Sequence, residues 1–103
     1  MDKSKTRKLE RQGWKVGDAS DFLGLSEEET ALIEMRLALS KRMRELRQAK
    51  GLTQVELAKL LGSSQSRVAK IEAGDSSVSL ELQIRSMLTL GATKEEVVEA
   101  LAD

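Results

Sequence analysis

The sequence contains no cysteine, no histidine and no proline, and its only two aromatic residues are Trp14 and Phe22. The missing cysteine and histidine exclude disulfide bonds, thiolate nucleophiles, imidazole bases and the usual zinc ligands. No apolar run exceeds four residues, so neither a membrane span nor a secretory signal segment is expected. Leucine and alanine are abundant instead, which favours helices. We therefore expect a cytoplasmic, all-α, non-enzymatic protein without metal or cofactor.

The 17 basic and 17 acidic side chains cancel over the whole chain, but they are arranged in bands. Residues 1–15 carry a net charge of +4, residues 18–34 a charge of −6, and residues 36–50 a charge of +5. A field acts over a Debye length of about 8–10 Å, so a basic band can meet a polyanion while an acidic band faces elsewhere. A solvated helix face explains each single band equally well.

Helix-capping signals divide most of the chain into five segments. A hydroxyl residue followed three positions later by glutamate forms a capping box, and glycine commonly follows the last turn of a helix. These signals predict helices near 26–50, 53–61, 64–73, 79–90 and 93–102. We predict a basic, loosely structured N-terminal arm over 1–25 and one helical domain over 26–103. The arm is either a minor-groove arm or a solvated tail.

Apolar residues recur at helical spacing and give the predicted core. The first helix contributes Leu32, Leu39, Met43 and Leu46. The remaining helices contribute Leu57, Leu60, Leu61, Val68, Ile71, Leu80, Ile84, Leu88, Val97 and Leu101.

Residues 51–74 hold the most informative pattern. Two short helices joined by about three residues must cross steeply, which requires a small residue at the contact and a left-handed residue in the turn. Ala58 and Gly62 occupy those two places. The second helix then carries short polar and cationic side chains on its outer side, namely Gln65, Ser66, Arg67 and Lys70. Such side chains are suited to base edges and phosphates.

Residues 46–74 resemble the helix-turn-helix of the phage-repressor-like (Xre, Cro/CI-type) family, whose recurring pattern is "LR…GLTQ.ELA..LG.S…V..IE.G". The matching residues are Leu46-Arg47, Gly51-Leu52-Thr53-Gln54, Glu56-Leu57-Ala58, Leu61-Gly62, Ser64, Val68, Ile71-Glu72 and Gly74. The resemblance implies a five-helix phage-repressor-like DNA-binding domain, with the helix-turn-helix proper at 53–73. It also implies a sequence-specific transcriptional regulator that binds double-stranded DNA.

The resemblance implies a role for each matching position. The start of helix 53–61, with Thr53 and Gln54, meets phosphate, and helix 64–73 enters the major groove. Gln65, Ser66 and Lys70 would contact base edges, with adenine favoured by glutamine and guanine by lysine. Ser64 and Arg67 would lie nearer the DNA backbone. Arg47 and Glu72 would form a structural ion pair.

One recognition helix reads only a few base pairs, so we expect a homodimer on a palindromic operator. The last two helices carry more apolar side chains than one internal face requires. The predicted dimer surface is Leu82, Met87, Leu88, Leu90, Val98 and Leu101.

The segment before the motif is similar to HigA-type antitoxins, on its layout and the phrase "FLGLS.EE". That resemblance implies an antitoxin that represses its own operon and neutralises a small basic RelE/HigB-like ribonuclease toxin. Candidate toxin contacts are Trp14, Asp18, Asp21 and Phe22, although the two aromatic residues could equally pack on the domain's own helices. A stand-alone Xre-family repressor or activator is the main alternative. A protein-interaction module or an enzyme forms a third class.

Overall fold

The computed structural model describes residues 23–102, and this part of the chain is helical without any strand. Its helices are α1 (Glu27–Ala49), α2 (Gln54–Leu61), α3 (Gln65–Ala73), α4 (Leu80–Thr89) and α5 (Lys94–Ala102). Each helix begins one residue after the start of its predicted range, because the first predicted residue is the N-cap. The predicted all-α class and helix order are confirmed.

The helix starts follow from the capping signals in the sequence. The Thr53 hydroxyl accepts a hydrogen bond from the Glu56 N–H at 3.1 Å, and the Glu56 carboxylate accepts one from the Thr53 N–H at 3.0 Å. The backbone hydrogen bond from Thr53 also holds the pKa of the Glu56 carboxyl below its ordinary value. The same reciprocal bonds join Ser26 to Glu29 and Thr93 to Glu96.

The first four helices end in the same hydrogen-bonded turn, the Schellman motif, which places glycine in the left-handed conformation. At the end of α2, Gly62 has a φ of 64°, and the Ser63 N–H donates to the Ala58 carbonyl at 2.8 Å. Gly74 ends α3 with a φ of 67° and also lies close to α1, because a Cβ at this position would be 3.1 Å from the Ser40 hydroxyl. This end of α3 therefore requires glycine for both conformation and space.

The chain divides into two compact units, residues 1–34 and 35–103. In the first unit, the described part is residues 23–34, which include the capped start of α1. In the second unit, the buried apolar side chains form one core to which every helix contributes. This core contains Leu39, Met43, Leu57, Ala58, Val68, Ile71, Val78, Met87, Leu90, Ala92, Val97 and Ala100. The arm boundary expected at residue 25 stays a prediction.

The rotation of α4 differs from the expected one. The sequence pattern placed Leu80, Ile84 and Leu88 inward, but Leu88 is exposed and the other two are only partly buried. The inward face consists instead of Gln83, Ser86, Met87 and Leu90. The Gln83 amide nitrogen supports this rotation by donating to the Ser40 hydroxyl at 2.8 Å and to the Arg36 carbonyl at 3.1 Å. The two hydrogen bonds offset the desolvation cost of the amide nitrogen. The Gln83 side-chain oxygen is buried without a hydrogen-bond partner among the described residues.

This rotation corrects part of the predicted dimer surface. Met87 and Leu90 are 0% and 4% exposed, so they belong to the core and present no surface to a partner. Two residues expected in the core, Leu32 and Leu60, are exposed instead. On α1, the neighbouring Ile33 is buried in place of Leu32.

Within residues 23–102, no helix combines the length and the apolar character needed to cross a membrane.

Candidate nucleic-acid interface

The helices α2 and α3 form a helix-turn-helix in which residues 62–64 connect an eight-residue helix to a nine-residue one. Leu57 and Ala58 of α2 and Val68 and Ile71 of α3 are buried in the shared core. Because these apolar residues and the buried Glu72 form the inner face of α3, the polar side chains on its opposite face point outward. The crossing at Ala58 and the turn at Gly62 agree with the prediction from the sequence.

The outer face of α3 carries the side chains predicted to contact DNA. Gln65, Ser66, Arg67 and Lys70 are exposed, and the exposed Ser64 caps the helix by accepting from the Arg67 N–H at 3.1 Å. Within the described part of the chain, neither Arg67 nor Lys70 forms an ion pair. The face therefore presents two uncompensated positive charges next to hydrogen-bonding groups.

The two predicted contact regions meet through a direct hydrogen bond. The Gln65 side chain at the start of α3 donates to the Gln54 side-chain oxygen at the start of α2, at 2.7 Å. Gln54 in turn donates to the Glu72 carboxylate at 3.2 Å. The helix-turn-helix thus brings Thr53 and Gln54 next to the beginning of α3.

Arg47 and Glu72 form a largely buried, two-pronged ion pair between the end of α1 and the end of α3. Arg47 Nε lies 2.6 Å from Glu72 Oε2, and Arg47 Nη2 lies 3.1 Å from Glu72 Oε1. The two side chains are 14% and 5% exposed. Arg47 Nη1 also donates to the Leu52 carbonyl at 2.8 Å, which holds the connection between α1 and α2. Such a fork is stronger and more directional than a single charged contact.

These contacts form one continuous chain of hydrogen bonds from α1 to the outer face of α3. It runs from Arg47 through Glu72 and Gln54 to Gln65. The sequence predicted the ion pair and the two glutamines separately, but not the bonds that link them. The position of Gln54 at the start of α2 could be predicted, but its bond to Glu72 spans 18 positions and depends on how the helices cross.

Other predicted sites fall partly or wholly outside this surface. Trp14, Asp18, Asp21 and Phe22 lie outside the described residues. Leu82 and Leu101 are partly buried, and Val98 is exposed. Among residues 23–102, no group of three acidic side chains lies close enough together to hold a metal ion.

The buried ion pair gives a stability prediction. We expect Arg47→Met to destabilise the chain by about 3 kcal/mol, because it leaves the Glu72 charge buried without its cationic partner. The double variant Arg47→Met/Glu72→Leu should recover most of this loss, since it removes both charges. Urea denaturation followed by circular dichroism measures the free energy of unfolding.

The matched control is the exposed pair of Arg85 and Glu81, which are joined at 2.6 Å. Exposed helix pairs contribute only about 0.3–0.5 kcal/mol, so Arg85→Met should change stability little. Equal losses in the Arg47 and Arg85 variants would contradict a buried role for the Arg47–Glu72 pair.

The comparisons with known proteins agree with this geometry. Residues 43–82 match the family model described as "Helix-turn-helix". No curated protein and no solved structure matches the chain significantly. The matched range contains the end of α1, both helices of the motif and the start of α4. The match supports the Xre/Cro-CI-type family and a DNA-binding transcriptional regulator, and it places a helix-turn-helix within residues 43–82.

Proposed function

We propose that this chain reads a specific operator sequence with the outer face of α3 and thereby represses transcription. The observation that carries the proposal is the hydrogen-bond chain that ends at Gln65. A side chain that is already held in place loses less conformational freedom when it contacts a base. The bond between Gln54 and Gln65 leaves the second donor of the Gln65 amide and its carbonyl oxygen available to DNA.

The residues of this surface suit different parts of a DNA duplex. Gln65 can bind adenine with two hydrogen bonds in the major groove, and Lys70 can bind the acceptors of guanine. The N-terminal amides of α2, next to Thr53 and Gln54, suit a backbone phosphate. Ser64 and Ser66 add hydroxyl groups at the start of α3. We therefore propose that each half-site contains both adenine and guanine.

Base preference tests this assignment. Selection of bound duplexes from a random-sequence pool should yield a symmetric site with adenine at one position in each half. We expect Gln65→Ala to abolish that adenine preference, at a cost of about 1–3 kcal/mol in discrimination. The readout is the sequence of the selected DNA together with affinity measured by fluorescence anisotropy.

Gln48→Ala is the matched control, because Gln48 is an exposed glutamine near the end of α1 and lies on neither α2 nor α3. It should leave the selected sequence unchanged. If the wild-type chain enriches no sequence, specific DNA reading is refuted.

We propose that the regulator acts as a homodimer through the exposed apolar side of α4 and α5. Leu88 and Val98 are exposed there, and Leu101 is partly buried one turn after Val98. A dimer with twofold symmetry would present two copies of α3 to two half-sites about 34 Å apart. Leu82 is less suited to this surface, because it lines a cleft beside α3.

The dimer surface can be tested with two equally exposed apolar residues. Val98 and Leu60 are 62% and 59% exposed, so a charge at either position should not disturb the core. We expect Val98→Asp to give monomers with weak operator affinity and Leu60→Asp to remain dimeric. Sedimentation velocity gives the oligomeric state. If the Val98→Asp variant remains dimeric, the dimer interface must lie elsewhere, and the long helix α1 is then the next candidate.

We also propose that the regulator is the antitoxin of a toxin–antitoxin pair and represses its own operon. The support from the described residues is the acidic first turn of α1, where Glu27, Glu28 and Glu29 are all exposed. An exposed acidic surface suits a small basic ribonuclease of the RelE/HigB type. Trp14, Asp18, Asp21 and Phe22 would extend this contact. A stand-alone repressor or activator is the competing function.

Co-expression of the tagged chain with its neighbouring genes distinguishes these two functions. A small basic protein that is toxic alone and co-purifies with the chain is the expected result. Glu27→Gln/Glu28→Gln should weaken that complex and leave DNA binding unchanged, because the capping residue Glu29 is retained. Gln65→Ala should instead weaken DNA binding and leave the complex with the basic protein unchanged. Purification of a lone homodimer that still binds its own promoter would favour the stand-alone regulator.

A further inference from the structure

A second cationic surface lies beside the recognition helix. A cleft of about 210 Å³ opens between the α2–α3 turn, α3 and α4. Its apolar walls are Leu61, Ile71 and Leu82, and its two cationic side chains are Arg67 from α3 and Arg85 from α4. The cleft therefore combines residues of the DNA-reading motif with a helix to which the sequence assigned no DNA contact.

Both arginines are available to a ligand. Arg67 is exposed and has no ion-pair partner among the described residues. Arg85 contacts only Glu81 in an exposed pair, and its side chain is 71% exposed. Exposed pairs of this kind are weak and screened by salt, so Arg85 can exchange Glu81 for a stronger anion.

We infer that Arg67 and Arg85 together bind a backbone phosphate of the DNA that flanks the base-reading contacts. This inference rests on the proposed function. A guanidinium group binds phosphate with two parallel hydrogen bonds. The cleft adjoins the proposed interface, since Arg67 belongs to α3 and also lines the cleft. When α3 lies in the major groove, the adjoining backbone is the polyanion nearest to these two side chains.

Salt dependence provides the first test. The full chain is titrated with a duplex that contains its selected site and six further base pairs on each side. Each phosphate contact contributes about 0.9 to the slope of log affinity against log salt. We therefore expect Arg85→Gln and Arg67→Gln each to reduce the slope by about 0.9 per protomer. Between 50 and 200 mM salt, each variant should therefore lose less affinity than the wild type, by about 3.5-fold for one protomer and about 12-fold for a dimer.

Lys41→Gln is the matched control for loss of one positive charge. Lys41 is exposed on α1 and lines a different groove, between α1 and α5. It should leave the slope unchanged. If Arg85→Gln binds the selected duplex with the wild-type slope, the inference is overturned while the proposed function stands. If the wild type does not bind the duplex at all, the proposed function itself fails.

Neutral methylphosphonate groups test for direct contact. Placed one at a time along the flanking backbone, they should weaken wild-type binding at one phosphate per half-site. The Arg67→Gln/Arg85→Gln variant should be insensitive to the same substitution, which a purely structural role of the arginines would not produce. Equal sensitivity of wild type and variant at every phosphate would overturn the inference.

The exposed partner of Arg85 gives an independent check. Glu81→Gln removes a negative charge next to the cleft and releases Arg85, so it should raise the affinity for the selected duplex. Lower affinity in this variant, without loss of stability, would contradict the inference. If inorganic phosphate binds the chain and duplex DNA does not compete with it, the cleft binds a small anion and the inference is overturned.

Discussion

The fork between Arg47 and Glu72 is the contact on which the arrangement of the DNA-binding motif depends. It joins the end of α1 to the end of α3, and its third donor also fixes the loop at Leu52. Because Glu72 also accepts from Gln54, the same carboxylate sets the start of α2. A single buried charge thus connects three elements, and an alternative packing would have to break all of these bonds together.

Local rules predicted most of the fold. The capping boxes and the glycines that follow four helices are short-range signals, so the helix ends could be predicted to within a residue. The rotation of α4 could not, because leucine is spread around that helix and a polar face is the one buried. Gln83 faces inward only because Ser40 and the Arg36 carbonyl, more than forty positions earlier in the sequence, accept its hydrogen bonds.

The candidate site shows the same division between local and long-range information. The motif located Gln54, Gln65 and Lys70 and their place on the two helices. The link from Gln54 to Glu72 spans 18 positions and depends on the crossing of the helices, which no local pattern specifies. The position of Arg85 beside α3 could not be predicted for a similar reason. It lies outside the motif in sequence and reaches the flank of α3 only because α4 packs there.

The close approach of Gly74 to Ser40 holds the C-terminal end of α3 against α1. A Cβ at position 74 would be 3.1 Å from the Ser40 hydroxyl, so a larger residue requires either the Ser40 side chain or the end of α3 to shift by a few tenths of an ångström. The nine residues of α3 span about 13.5 Å at 1.5 Å per residue. A tilt of about 5° at Gly74 would therefore move the side of Gln65 by about 1 Å. Hydrogen bonds tolerate displacements of only a few tenths of an ångström, so any contact that Gln65 makes at one end of α3 depends on the absence of a side chain at position 74, at the other end.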